Sequence, residues 1–497
     1  MLPTNASTAW PPEGRTDVLR EIEIYSAWYS GDLIKLSDVA YRTFWTPEKE
    51  DQILANKVRQ EIRRLVHMPI AADLASLSAN MLFSEHPIVT IAEANKGENP
   101  DGAAVFCQER LQYIIEANQF PAVLLQAAEL ASAMGGAYMK VNWDKELSDC
   151  PIIAPALNSN AIPTFRYGRL VSVIFCRTLS NDGVKVVRLL EDHTPGYIET
   201  AVYVGSSNTI GTRMPLDLFP ETTGMPDKVK TGATGLACVY IPNMLPNRKD
   251  PGSCEGQSDL SGIESLMETL NEVYTSLLRE FRIGKGRIVV PKDFLVRDNE
   301  LGTRYFDLDQ EVFVPVSTNV TQDKLNDQIT AQQFSIRSTE HLDACKELIT
   351  RIVASAGYAP QSVGIDAQGT AESGTALRVR ERKSFVTTAK KGEYWRPAIE
   401  ALLFAALEVD REQFTRGLSV FKPNVVIQDS VVYDLAEMAT TLDTLNRAQA
   451  VSTHILVSML HPEWDADEVE AEVERIKEAN APPADLGFGE PDNTGTE

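Results

Sequence analysis

Two long amphipathic helical stretches with a compact insert between them constrain this fold more than any other feature. Ser261 to Phe281 carries apolar residues at Ile263, Leu266, Met267, Leu270, Val273, Tyr274, Leu277, Leu278 and Phe281, which is helical spacing throughout. Ser261 and Glu264 have the spacing of a capping box at its start. A second helix is expected from Asn326 to Ala356, with Leu342, Cys345, Leu348, Ile349, Ile352 and Val353 on its stripe and Glu340, Asp343 and Glu347 beside it. Between the two lie short strand-like runs, Arg287 to Val290, Arg304 to Leu308 and Val312 to Val316. An insert of about 40 residues is too long for a plain loop. The pattern describes a stalk with a small domain at its tip.

The segments on either side fit the same scheme. Helices are expected over Lys57 to Val66, from Ile70 to Leu82, from Ala103 to Ala117 and from Pro121 to Met134, where Gly135-Gly136 stops the last. Residues 137–245 alternate as strands, at Ala137–Trp143, Gly168–Cys176, Val184–Leu190 and Tyr197–Val204. Pro242 to Gly256 reads as a linker. After Gly357 comes a Gly/Ala/Ser/Gln-rich loop, Tyr358 to Gly374. A basic helix follows over Thr375 to Lys391, with a break or kink at Gly392, and an apolar helix continues from Trp395 to Val409. A further helix spans Leu435 to Leu460, and residues 481–497 read as disordered.

Composition limits the functional classes. The 497 residues carry a net charge of −23, which disfavours a tight general DNA binder, because such affinity comes from Lys and Arg. The longest apolar run, Pro397 to Val409, contains Glu400 and Glu408 and falls short of a spanning helix of about 20 residues. Met1 to Gly14 has no basic region followed by an apolar core, so no secretory signal is expected. Six scattered cysteines without a C-x-x-C pair read as reduced thiols. No phosphate loop, dinucleotide fingerprint, zinc-protease helix or nucleophile elbow occurs. The six histidines stand singly. Asp307, Asp309 and Glu311 alternate and could share a strand face as metal ligands; the competing reading is a solvent-facing strand side.

Charge is unevenly spread. Residues 463–497 hold 12 acidic and 2 basic residues, whereas Glu372–Arg396 nets +4 and Arg279–Arg304 nets +3. Arg378 and Arg382 lie one helical turn apart on one face.

Several segments, in consistent order from Trp45 to Ala479, resemble the portal proteins of long-tailed double-stranded DNA phages. Gly256–Tyr274 continued by Arg279–Pro291 resembles the first stem helix and its entry into the clip. His67–Ala75 with Leu82-Phe83 resembles the N-terminal wing. Thr370–Arg378 is similar to the junction of tunnel loop and wing helix. Asp429–Asp434, Ala448–Ser452 and His461–Asp465 are similar to the crown-side end.

The resemblance implies an α+β fold: mainly helical, with long stem helices, a small α/β clip, a mixed wing and a helical crown. The wing would take residues 1–245, the linker and first stem helix 246–285, the clip 286–325 and the second stem helix 326–356. The tunnel loop would be 357–374, the wing helix and return 375–434, and the crown 435–480. It further implies a homo-oligomeric ring, commonly twelve-fold, at one capsid vertex of the virion, assembled in the host cytoplasm. Duplex DNA would pass through it during packaging and ejection. Its partners would be the terminase large subunit, a head–tail connector, and the major capsid and scaffold proteins. No catalysis, metal, cofactor or membrane is implied. Gln361, Ser362, Asp366, Gln368, Thr370, Glu372 and Ser373 would face the channel. Arg378, Arg382 and Lys383 would touch DNA or a neighbouring subunit, and Arg287, Lys292, Arg297 and Arg304 would belong to the docking clip. A metal-dependent nuclease using Asp307, Asp309 and Glu311, and an acidic capsid scaffold or adaptor, are the rival readings.

Overall fold

The computed structural model describes residues 2–39, 66–94, 102–283, 287–289, 296–297, 304–305, 330–332, 336–364, 374–427, 435–448, 451–461 and 466–479. The expected helix over Lys57 to Val66, most of the clip and the tail therefore lie outside the described residues. The chain divides into two compact units. One comprises residues 1–370 and 379–430, the other residues 371–378 and 431–497.

The first unit opens with α1 (Thr16–Ser30), α2 (Leu33–Val39), α3 (Ile70–Phe83), β1 (Ile88–Thr90), α4 (Gly102–Ala117) and α5 (Phe120–Met134). Pro121 sits in the first turn of α5, where its missing N–H costs nothing. Gly135 ends α5 at φ 84°, and a Cβ there would stand 2.6 Å from the Gly256 carbonyl oxygen. Only glycine meets both conditions.

Two antiparallel sheets follow α5. β2 (Gly136–Asn142) lies between β3 (Ile152–Ala156) and β10 (Cys238–Pro242) in a three-stranded sheet. β4 (Ala161–Arg166), β5 (Arg169–Asn181), β6 (Val186–Thr194), β7 (Tyr197–Gly205) and β8 (Thr212–Met214) form a meander, with β9 (Lys228–Lys230) also on β7. β6 is buried on both faces, against Trp10 on one and Leu216 on the other. The β-rich module expected over 137–245 is thus two sheets. The sequence reading missed β3, β4 and β10, because Pro155, Pro163 and Pro242 suggest breaks.

The two long helices flanking the insert are α6 (Glu264–Ile283) and α7 (Ser338–Ala356). Between them the described fragments are β11 (Arg287–Val289), paired with β14 (Thr330–Gln332), and β12 (Val296–Arg297), paired with β13 (Arg304–Tyr305). Leu260, Ile263, Met267 and Leu270 pack with Cys345, Ile352, Val353 and Tyr358, and with Trp28 of α1 and Leu74 of α3. Burying an aliphatic side chain contributes about 1.5–3 kcal/mol, so this shared core holds the two helices against α1 and α3.

Three expectations about these helices need correction. α6 starts at Glu264, not Ser261. The Glu264 carboxylate does reach back, but to the backbone N–H of Gly262 at 2.7 Å, while buried Ile263 precedes the first turn. α7 starts at Ser338, not Asn326, since Thr330–Gln332 is a strand; no apolar helical stripe exists before Leu342. The second unit's expected single helix over 435–460 is two, α9 (Leu435–Arg447) and α10 (Thr453–Leu460), followed by α11 (Ala466–Ala479). Ser452 enters the second of these in extended conformation. In this unit Val457, Val469 and Val473 cluster.

A fourth correction concerns α8 (Gly374–Gln413), which runs unbroken through Gly392 and Pro397. A Cβ at Gly392 would meet open space, so nothing there demands a break. The apolar half of α8, from Trp395 to Val409, packs with α4, α5 and the β2 strand in the largest core. β15 (Asn424–Val426) then pairs with β1. Among the described residues no helix is long and apolar enough to cross a membrane.

Near the end of α6, Glu280 accepts hydrogen bonds from the Arg337 guanidinium and backbone N–H, and lies 3.3 Å from His341 Nε2. The Arg337 guanidinium, with that N–H and His341, holds the Glu280 carboxyl down at about 2. An unfolded glutamate titrates near 4.3, so the clasp contributes fully above that value and is lost as pH falls toward about 2. Glu280→Gln is expected to flatten the acid limb of melting temperature against pH between about 5 and 2. An unchanged limb would mean the clasp carries no stability.

Candidate functional site

The most constrained polar site lies where six segments of the first unit meet. Asp259, immediately ahead of α6, accepts from Lys391 Nζ at 2.5 Å, Ser132 Oγ at 2.6 Å and Tyr358 OH at 3.1 Å through one oxygen. Its other oxygen accepts from Asn243 Nδ2 at 2.8 Å. Lys391, in the middle of α8, also donates to Ser78 Oγ of α3 at 2.7 Å and to Tyr358 OH at 2.9 Å. All three ammonium donors are therefore used. Lys391 is 1% exposed and Tyr358 fully buried.

Burial lowers the Lys391 ammonium from its usual range, and the Asp259 carboxylate opposes that shift. Burial, reinforced by Asp259, drives the Tyr358 phenol well up. A buried network is costly when half satisfied and rigid when fully satisfied, and here every partner is present. Its groups hold one another in place; none is left free as a nucleophile or base.

Further ionic ties surround this node. Arg15 binds Glu255 and donates to the Asn158 carbonyl oxygen at 3.0 Å. Arg110 of α4 grips Asp410 near the end of α8 at 2.8 and 3.0 Å. Asn243 N donates to the Gly135 carbonyl, and Gln257 N to that of Met244. The segment expected to be a linker, Pro242 to Gly256, is therefore irregular but firmly bound at both ends.

The node fixes the start of the segment expected to line a channel. Gly357, at φ 102°, ends α7, and its carbonyl accepts from Thr387 Oγ1 at 2.7 Å. Ala359 N donates to Ser384 Oγ at 2.8 Å, and Ser362 Oγ lies 2.9 Å from the same oxygen. Gln361 and Ser362 thus sit in a single 3₁₀ turn, Pro360–Val363, which Ser362 docks on α8. Asp366, Gln368, Thr370, Glu372 and Ser373 lie outside the described residues, as do Lys292, Asp307, Asp309 and Glu311.

Arg382 is exposed on α8, and Lys383 donates to the Ala354 carbonyl at the end of α7. That placement suits a cation, since the last carbonyls of a helix lack partners. Arg378 falls within α8 in the second unit, and its side chain is outside those described. Arg287, Arg297 and Arg304 fall in β11, β12 and β13, with Arg297 opposite Arg304 in register. The structure therefore brings Gln361, Ser362 and Lys383 to one stretch of α8, and sets Arg297 beside Arg304 on paired strands. Among the described residues, no group of three His, Cys, Asp or Glu could hold a metal ion.

Sequence reading missed Asp259, Ser78, Ser132 and Asn243, and treated Lys391 as part of a basic face. A signal existed: Ser384, Thr387, Lys391, Trp395, Ile399 and Leu402 follow one helical stripe, so Lys391 lies on the core side.

These ties fit a protein that positions elements and does no chemistry of its own at the node. The family comparison agrees with that class. The family model described as "Phage portal protein, SPP1 Gp6-like" matches residues 13–482, and the chain belongs to that phage portal family, which is structural rather than enzymatic. No curated protein matches the chain. Among solved structures, a chain of the "Neck of native GTA particle computed with C12 symmetry" matches 84% of this chain and 94% of that one, with 11% identity and a TM-score of 0.39.

Removing the Lys391 cation strands a buried carboxylate, which typically costs about 3–5 kcal/mol. Lys391→Met is expected to destabilise the protein by that order in denaturant unfolding. Lys391→Met combined with Asp259→Leu is expected to cost less than the two single substitutions summed. Additive costs would show that the pair does not act as a unit.

Proposed function

We propose that this chain is the subunit of a ring, twelve-fold by the family's habit, which sits at one capsid vertex and passes duplex DNA during packaging and ejection. The single observation that carries the reading is the portal-family match across residues 13–482. The ring is a passive conduit: the terminase large subunit supplies the work, and a head–tail connector later takes its place at the clip around Arg287, Lys292, Arg297 and Arg304. Capsid and scaffold proteins hold the wing. The protein acts within the virion after assembly in the host cytoplasm.

The physical character of the stem supports this. Glu340, Asp343 and Glu347 are exposed on α7, and an acidic surface repels phosphates instead of retaining them. Phe281 and Leu342 are 45% and 47% exposed on the stem helices, which suits burial by a neighbouring copy in a closed ring. Docking of the Pro360–Val363 turn on α8 gives the tunnel loop a fixed root, while Asp366–Ser373 would supply the part nearest DNA. Arg378 and Arg382, one turn apart, would face DNA or the next subunit.

Negative-stain imaging with light scattering of the purified protein tests the reading. Rings with an axial hole and a mass of about twelve chains are expected. A species that stays monomeric at high concentration in several salts overturns it. In assembled particles, Arg378→Glu with Arg382→Glu is expected to reduce ring closure or the yield of DNA-filled heads. Normal filled heads would remove those two arginines from the site.

A further inference from the structure

The β4–β5 hairpin departs from its surroundings in charge, backbone and register at once. Residues 161–181 contain Arg166, Arg169 and Arg177 and no carboxylate, in a chain of 70 acidic residues. The hairpin also outruns its sheet. β5 begins pairing with β6 only at Val173, opposite His193, so among the described residues Thr164–Arg166 and Arg169–Ser172 pair with nothing but each other.

Its tip is built against local preference. The two-residue turn places Tyr167 at φ 51° and Gly168 at φ 75°. Such a turn ordinarily takes Asn-Gly, and a bulky residue at positive φ is an outlier. Tyr167 is 98% exposed, so packing among the described residues does not compensate. On the next rung Arg166 stands directly opposite Arg169, a like-charge pair that opposes hairpin formation. Among the described residues neither arginine has an ion-pair partner.

The two faces of the projection differ. Phe165 and Leu170 turn toward the body: Phe165 meets the Tyr240 ring edge-on at 5.8 Å, and Leu170 packs on the core of Tyr138 and Phe175. Alternation along a strand sends the neighbours to the other side. That side carries Arg166 and Arg169 and, two residues in along β4, Thr164, paired with Ser172. Two guanidiniums, a threonine hydroxyl and a phenol are thus exposed on one ribbon, with the half-buried Ser172 hydroxyl beside them and no acidic group among them.

We infer that the Thr164–Ser172 ribbon, made of residues other than those proposed to line the channel, is a sequence-independent contact for the phosphate backbone of duplex DNA. Charge-assisted bonds from Arg to phosphate are strong and often bidentate, Ser, Thr and Tyr hydroxyls commonly bond phosphate oxygens, and a two-stranded ribbon fits the major groove. A phosphate between Arg166 and Arg169 would neutralise the repulsion that the free hairpin bears. An acidic protein face would satisfy the arginines too, but the paired hydroxyls and the narrow ribbon favour phosphate. The inference takes from the proposed function only the identity of the polyanion.

The test is fluorescence anisotropy of a labelled 30-base-pair duplex against the full-length protein in whatever assembly it forms, repeated from low to moderate salt. Wild-type protein is expected to bind at low salt. R166E/R169E is expected to reduce the slope of log affinity against log salt by roughly 0.9 for each phosphate no longer neutralised, so by about 2 or more. R166K/R169K, which keeps the charge, is expected to retain most of that slope. Tyr167→Asn relieves the turn and is expected to weaken binding while raising the melting temperature.

Absence of wild-type binding, or an unchanged slope in R166E/R169E, overturns the inference. So does a changed ring mass with DNA binding unaltered, because the ribbon would then contact protein. If the charge reversal does not fold, R166Q/R169Q carries the same measurement. Ring images of the wild type judge the portal reading independently of these titrations.

Discussion

The first unit depends on one buried ion pair. Lys391 and Asp259 lie 132 positions apart in the chain, and their contact can form only when α8 has packed on α3 and α5 and the Pro242–Gly256 segment has closed beneath the stem. Placing a charge in that interior is expensive unless it is paired and hydrogen-bonded, so misplacing any donor is penalised. Ser78, Ser132, Asn243 and Tyr358 each come from a different segment and bind the pair directly. The node therefore acts as a register mark that ties α3, α5, α8 and the segments flanking α6 and α7 together. An apolar cluster of similar volume could be as stable without being as selective.

How much of this was legible in the sequence depends on the range of the interaction involved. α4 and α5 were read nearly to the residue, because Pro121 and Gly135 act locally and the helical stripe is uninterrupted. The body of the stem was legible for the same reason. Its boundaries were not. The start of α7 is set by Arg337 meeting Glu280 from the other stem helix, and the strand at Thr330–Gln332 exists only because Arg287–Val289 pairs with it. Gly392 looked like a breaker, yet the apolar face from Trp395 to Val409 has a core to bury in, and tertiary packing overrides propensity.

The candidate site was the least legible part for a related reason. A lysine in a run of basic residues suggests a solvated face, and the acceptor that changes this reading lies far off in sequence. Tyr358 looked like the lone aromatic of a channel loop. Its burial follows from α7 ending at Gly357 in left-handed conformation, which turns the next side chain back onto Asp259. The charge of the basic stretch was accordingly overestimated: Lys391 is neutralised internally and Lys383, though exposed, serves a helix end, leaving Arg382, Lys390 and Arg396 as the other exposed cations among its described side chains.

The two ends of the α6–α7 pair are held by ion pairs of opposite physical character. At one end Glu280 and Arg337 meet at the surface, where water and salt screen the attraction and acid removes it. At the other Lys391 and Asp259 are shielded from solvent, so their attraction is screened far less and persists across conditions that weaken the first. The α6–α7 pair is thus tied at one end by a contact that salt screens and acid removes, and at the other by one that solvent does not reach, and the difference follows from burial alone.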